Sequence, residues 1–154
     1  MQRLALAIAT CGYVGHVPIA PGTAGSAAGL ALFWAVRGTG SAAVEIALVV
    51  VLGLAGIWSA GIAERRLGMV DPGPIVIDEV VGMLITLLLL PVNLVGATVG
   101  FLVFRILDIV KPWPAGRFEA LPGGLGVMAD DAMAAVYGHL IVRGLIVMAP
   151  GWLT

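Results

Sequence analysis

The sequence predicts an all-α protein, a multihelical polytopic membrane bundle with four to five spanning helices and a re-entrant or interfacial N-terminal segment. Three observations carry this. Of the 154 residues, 60% are hydrophobic and 11% charged, and the mean hydropathy is +1.09, whereas a soluble domain carries roughly 25% charge. The apolar residues gather in runs bordered by charged residues and prolines, as spans and their polar ends do. Twenty-two glycines supply the small residues that let membrane helices approach closely. The chain reads as a single domain, residues 1–154.

Each element follows from its run. Leu4 to Ala9 is apolar but short, and Gly12, Pro18 and Pro21 follow it, so it reads as an interfacial or re-entrant piece and not a cleaved signal. The first candidate span, Ala24 to Val36, is closed by Arg37-Gly38-Thr39-Gly40 and is short enough to be tilted or half-inserted. The second, Ala42 to Ala63, ends at Glu64-Arg65-Arg66 and has Glu45 near its start. The third runs from Glu79 to Leu90 and stops at Pro91; the fourth runs from Leu94 to Val110 and stops at Lys111-Pro112-Trp113-Pro114. The fifth is Asp131 to Ala149. Trp113 and Trp152 fall where interfacial aromatics belong.

Two loops are long and rich in Gly and Pro, Gly68 to Pro74 and Ala115 to Gly126, and they carry Asp71, Arg117 and Glu119. Arg65, Arg66, Lys111 and Arg117 share the side of these loops, with Arg37 opposite, so that side is expected to face the cytoplasm. A net charge of −1 offers no polybasic surface for nucleic acid, and one cysteine excludes an internal disulfide or a multi-cysteine zinc site. His16 and His139 lack partners at metal spacing, and Cys11 reads as a small apolar filler.

The chemistry lies in three acidic clusters at the span borders: Asp78-Glu79, Asp108 and Asp130-Asp131. Carboxylates near lipid are expensive and mark functional sites. Asp78 and Glu79 follow Pro72 and Pro74 at a helix start, where the dipole favours acids, yet two adjacent acids exceed what capping needs. Gly82, four residues after Asp78, leaves room on that face for a ligand or a neighbouring helix. Arg105, Asp108 and Lys111 recur every three residues along one side of a helix; the spacing fits an intrahelical ion pair or an acid for a metal beside two cations for a phosphate. Asp130 and Asp131, after Gly123-Gly124-Leu125-Gly126 and before an apolar helix, read either as an N-cap or as a functional pair, since adjacent aspartates repel unless a cation or a proton intervenes. The segment Pro18-Ile19-Ala20-Pro21-Gly22-Thr23-Ala24-Gly25-Ser26 places hydroxyls and free N–H groups at a helix start, which favours anions but by itself reads first as an N-capped helix after a turn. Scattered carboxylates from several helices suit Mg²⁺, which takes oxygen ligands and keeps some waters.

Four motifs then appear in order: Pro18-x-x-Pro21-Gly22-Thr23-x-Gly25-Ser26; Ile75-Val76-Ile77-Asp78-Glu79-Val80-Val81-Gly82-Met83; Phe104-Arg105-Ile106-Leu107-Asp108-x-x-Lys111-Pro112-Trp113-Pro114; and Gly123-Gly124-Leu125-Gly126-Val127-Met128-Ala129-Asp130-Asp131. Together they resemble the bacterial phosphatidylglycerophosphatase A family over about Gly15 to Gly138. The resemblance implies a Mg²⁺-dependent phosphatase of the bacterial inner membrane, multi-pass, with its site facing the cytoplasm. It further implies that the terminal phosphate of phosphatidylglycerophosphate is removed to leave phosphatidylglycerol. The residues carried over are Thr23, Ser26, Asp78, Glu79, Arg105, Asp108, Lys111, Asp130 and Asp131.

On this reading the five carboxylates gather one or two Mg²⁺ ions, while Arg105, Lys111, Thr23 and Ser26 bind the phosphate. Asp131 or Glu79 would accept the proton of the attacking water. The chain lacks the His pair of phosphohistidine lipid phosphatases, the Asp-x-Asp of haloacid dehalogenases and the Asp-Gly-x-x-Ala-Arg of CDP-alcohol transferases. The rival class is a small cation or proton transporter, for which acids near mid-span would be expected.

Overall fold

The computed structural model describes residues 1–69 and 72–154, all helix, turn and coil with no strand among them. Asp71, assigned from the sequence to a Gly- and Pro-rich loop, lies outside the described residues. The helices are α1 (Gln2–Ala9), α2 (Pro21–Arg37), α3 (Ala42–Leu67), α4 (Ile77–Leu87), α5 (Leu94–Val110), α6 (Ala115–Phe118), α7 (Gly124–Met148) and α8 (Pro150–Leu153), with a short 3₁₀ turn at Val14–His16.

α4 is the axis of the bundle. It packs against α2, α3, α5 and α7 and buries nine residues, Asp78 among them. Close approach requires glycine at several points. A Cβ on Gly29 of α2 would stand 2.7 Å from the Val80 carbonyl oxygen and 2.9 Å from the Met83 Cβ, and one on Gly82 would run into the Phe104 ring of α5. The space that Gly82 leaves is therefore filled by a neighbouring helix. Phe33, Met83, Leu87, Phe104 and Val142 build one core cluster. Ala60, Ile77, Val127 and Met128 build a second.

Span lengths depart from expectation. Among the described residues α3 and α7, with 26 and 25 residues, are long and apolar enough to cross a membrane. α2 and α5 have 17 residues each and α4 only 11, and 11 residues rise about 16 Å against a hydrocarbon core of about 30 Å. The count of four to five spanning helices is thus not confirmed by helix length. α4 stops at Leu87 instead of Leu90, and the chain passes on through Leu88–Asn93 without regular structure. Glu45 of α3 accepts a hydrogen bond from the Leu89 N–H at 3.0 Å and pairs with Arg37 at 3.7 Å, so a backbone donor released where the helix breaks is satisfied by a side chain.

α7 begins at Gly124, seven residues before the expected start. Gly124 lies against the Ile57 carbonyl and the Gly61 N–H of α3, a contact only glycine permits. Asp130 and Asp131 consequently sit in the second turn of a helix and cannot be its N-cap. At the other end of the bundle Asn93 caps α5 by accepting from Gly96 N–H at 3.0 Å, while its amide donates to the carbonyls of Trp152 and Thr154. α1 is helical and packs on α3. Apolar side chains such as Val50, Val51 and Leu54 of α3, Leu102, Ile106 and Ile109 of α5 and Leu140 and Val147 of α7 are exposed, and an apolar exterior of this extent marks a contact surface for membrane or protein.

Candidate active site

The segment before α4 holds Pro72 and Pro74, and the helix starts at Ile77, so Asp78 and Glu79 fall in its first turn, where the helix dipole favours negative charge. Asp131 arrives from α7. One carboxylate oxygen from each of Asp78, Glu79 and Asp131 lies within 4.8 Å of the others. Asp131 is 3% exposed, and its side chain neighbours Asp108 of α5.

The remaining charges frame this triad. Arg105 Nη1 lies 2.5 Å from Asp108 Oδ2, 3.4 Å from Ser26 Oγ and 3.9 Å from Glu79 Oε1. One guanidinium nitrogen thereby meets groups of α2, α4 and α5. Lys111 ends α5 in a left-handed conformation; its Nζ donates to Asp130 Oδ2 at 2.5 Å and lies 3.8 Å from Glu119 Oε2. Burial weighs against the Lys111 ammonium, but the hydrogen bond and charge of Asp130, with the charges of Glu119 and Asp131, outweigh it and hold the lysine above its ordinary range.

The first turn of α2 closes the site. A Cβ on Gly22 would strike the Glu79 carboxylate and come within 3.1 and 3.2 Å of the Arg105 nitrogens. Ser26, one turn on, donates to the Gly22 carbonyl at 3.0 Å and accepts from Arg105. Thr23 is exposed, rotated about 100° from Gly22 on the helix, and is the one sequence-predicted residue that the structure leaves off the cluster's face. Cys11 is half-buried and packs against both cores; burial, with the Glu79 charge as a second cause, pushes its thiol up to about 11.

The residues fit a hard divalent cation. Glu79 Oε2, Asp130 Oδ1 and Asp131 Oδ2 are buried with no hydrogen-bond partner, an arrangement that is costly unless a cation takes them up. Arg105 Nε is buried and equally without a partner, which suits an anion beside that cation. The sequence carried no signal for two features: that Glu119 pairs with Lys111, and that Gly22 is held glycine by the Glu79 carboxylate.

The family model described as Phosphatidylglycerophosphatase A matches residues 7–146. The chain belongs to the phosphatidylglycerophosphatase A family. It is 42% identical over 125 residues to phosphatidylglycerophosphatase A of Escherichia coli, covering 79% of this chain and 72% of that one. With phosphatidylglycerophosphatase A of Haemophilus influenzae it shares 34% over 130 residues, covering 83% and 80%. A Bacteroides thetaiotaomicron protein, named as a proposed phosphatidylinositol-3-phosphatase, is 41% identical over 138 residues, covering 83% and 84%. No solved structure matches the chain. As a member of this family the protein is an enzyme, a phosphatase of phospholipid metabolism.

Proposed function

We propose that this phosphatidylglycerophosphatase A family member hydrolyses the terminal phosphate of phosphatidylglycerophosphate to phosphatidylglycerol and inorganic phosphate, with Mg²⁺ as its cofactor. The observation that carries the reading is the meeting of Asp78, Glu79 and Asp131 oxygens within 4.8 Å, beside an arginine that has a free buried donor. Asp78, Glu79 and Asp131 would hold the cation, with Asp108 and Asp130 as further candidates whose outward oxygens are already drawn to Arg105 and Lys111. When bound, Mg²⁺ supplies charge neutralisation at phosphate oxygens and a more acidic water.

The chain's own groups do the rest. Arg105 and Lys111 bind and orient the phosphate oxygens, and phosphoryl transfer depends mainly on such positioning and charge compensation. Ser26 Oγ steers the Arg105 fork. The N–H groups of the α2 first turn, free of helical partners, add anion affinity, and Thr23 acts there from the outer side. Of Glu79 and Asp131, whichever carboxylate is not bound to the cation would accept the proton of the attacking water.

The bundle is read as multi-pass in the bacterial inner membrane, with α2, α3, α5 and α7 crossing and α4 completing its passage through Leu88–Asn93. The acids would lie on the cytoplasmic side, where Arg65, Arg66, Lys111 and Arg117 also gather. Lipid tails then stay in the bilayer while the head group reaches the triad. Nothing supports the transporter alternative: the acid at the far end, Glu45, is engaged by Arg37 and Leu89.

Purified protein should release phosphate from phosphatidylglycerophosphate, lose that activity in EDTA and regain it with Mg²⁺. Turnover unchanged by exhaustive chelation would remove the metal from the proposal, and no release at all would remove the substrate.

A further inference from the structure

A further cavity of about 390 Å³, with a mostly apolar lining edged by basic side chains, opens between α1, the turn after it and the C-terminal end of α3, apart from the carboxylate cluster. Arg3, Arg66 and His16 line it, with Tyr13 and Thr10, and the buried Thr10 Oγ1 accepts from the Tyr13 N–H at 3.2 Å. Leu6 and Leu67 form its apolar flank. No acidic residue lines it among the described residues, and neither arginine has a carboxylate within ion-pair distance among them. Arg66 donates to the Gln2 side chain at 3.4 Å, which links α3 to α1 and leaves its other donors for a ligand. A basic flank to a span needs only charge for orientation. A cavity that gathers two arginines from separate helices with a histidine and a tyrosine against an apolar flank is more than orientation needs.

We propose that this cavity binds the phosphodiester head group of an anionic phospholipid of the surrounding leaflet, in a site distinct from the catalytic one. The arginine forks match phosphate oxygens, and Leu6 and Leu67 face where the acyl chains of such a lipid begin. Leu67 closes α3, one of the two helices long enough to cross the membrane, so the cavity stands at head-group height at the end of that helix. Its wall also touches the catalytic end of the fold. Pro74 lines the cavity, Gly15 is packed so closely on the Pro74 carbonyl that a Cβ would collide with it, and the Val76 N–H donates to the Ala9 carbonyl at 2.9 Å, two residues before Asp78. An occupant would brace the segment that enters α4. The inference stands independently of which phosphate ester the triad hydrolyses.

The test is calorimetric titration of dioctanoyl phosphatidylglycerol into the protein in detergent, with dioctanoyl phosphatidylcholine as the zwitterionic reference of zero net charge. Charge near a membrane surface contributes about fivefold in affinity for each arginine, so Arg3→Gln and Arg66→Gln should each weaken the anionic lipid about fivefold. Arg3→Lys with Arg66→Lys should retain most of the binding, and Arg117→Gln, at an exposed arginine outside the cavity, should leave it unchanged. Both cavity arginines sit at the surface, and unchanged melting temperatures check that the variants fold. Equal binding by wild type and the double Gln variant overturns the site. So does an equal loss from Arg117→Gln, which would mean diffuse surface charge. Displacement of the lipid by millimolar inorganic phosphate would overturn the lipid as occupant. Phosphate release from phosphatidylglycerophosphate, measured on the same variants, reports separately on the catalytic centre.

Discussion

Asp130 and Asp131 are adjacent in sequence and serve different neighbours: Asp130 accepts from Lys111 at 2.5 Å, while Asp131 joins Asp78 and Glu79. A helix turns about 100° per residue, and at this position that rotation carries the two side chains to different neighbours. The pair divides the site into a cation-facing half and a half already neutralised by lysine.

This division predicts unequal variants. Asp78→Asn and Asp131→Asn remove oxygens from the tightest carboxylate set and should lower phosphate release at least a hundredfold, with the melting temperature held or raised as buried repulsion is relieved. Asp130→Asn should mainly free Lys111 and raise KM for the phospholipid. Wild-type turnover by Asp131→Asn at saturating Mg²⁺ would refute its place in the set.

Arg105 meets Asp108, Ser26 and Glu79 through Nη1 alone, which leaves its buried Nε for an anion, and lysine has no second nitrogen to offer there. Arg105→Lys is expected to cut kcat/KM about 10- to 100-fold despite the retained charge. Ser26→Ala, which removes one hydrogen bond to that guanidinium, should lose about tenfold or less. Equal activity in Arg105→Lys and wild type would show that only the charge matters.

Packing can be tested apart from chemistry. Gly29→Ala forces a methyl onto the Val80 carbonyl and should destabilise the fold by about 1–3 kcal/mol. A methyl on Gly53 would meet no atom within 4 Å, so Gly53→Ala should be neutral or slightly stabilising. Unfolding in mixed micelles measures both.

At the opposite end, Glu45→Ala removes the acceptor of the Leu89 N–H and the partner of Arg37. Stability should fall by about 1 kcal/mol, with kcat unchanged at low temperature, and Glu45→Gln, which keeps an acceptor, should recover most of the loss. A kcat defect in Glu45→Gln would mean that this end communicates with the triad.

Cys11 should be inert to alkylation. With its thiol at about 11, on the order of one molecule in three thousand is thiolate at pH 7.5, and thiolate is the reacting form. Iodoacetamide at that pH should leave phosphate release intact, and labelling should accelerate steadily as pH rises towards 11. Rapid inactivation at neutral pH would contradict the burial.

Much of this was legible in residues. The charges and prolines that close α2, α3 and α5 marked those helices to within a few positions, because such borders reflect local chemistry. Asp78, Glu79, Arg105 and Lys111 were equally legible, since each departs from an apolar background. What escaped was tertiary. Gly123 to Gly126 resembles a loop, yet Gly124 and Gly126 are glycine because α3 and the Leu121 carbonyl lie where side chains would go, and the helix continues through them. The early stop of α4 was hidden because its N–H is satisfied by Glu45, 44 positions away. Thr23 and Ser26 look interchangeable in a motif, and only the rotation of α2 against α5 separates them.

The Val76–Ala9 hydrogen bond gives the end of α1 the role of a buttress. Trimming that helix, or fusing a bulky affinity tag against it, would leave the catalytic acids chemically intact while their footing shifted. A preparation that is folded but sluggish should therefore be re-made with its tag moved to the opposite terminus before any acidic side chain is blamed.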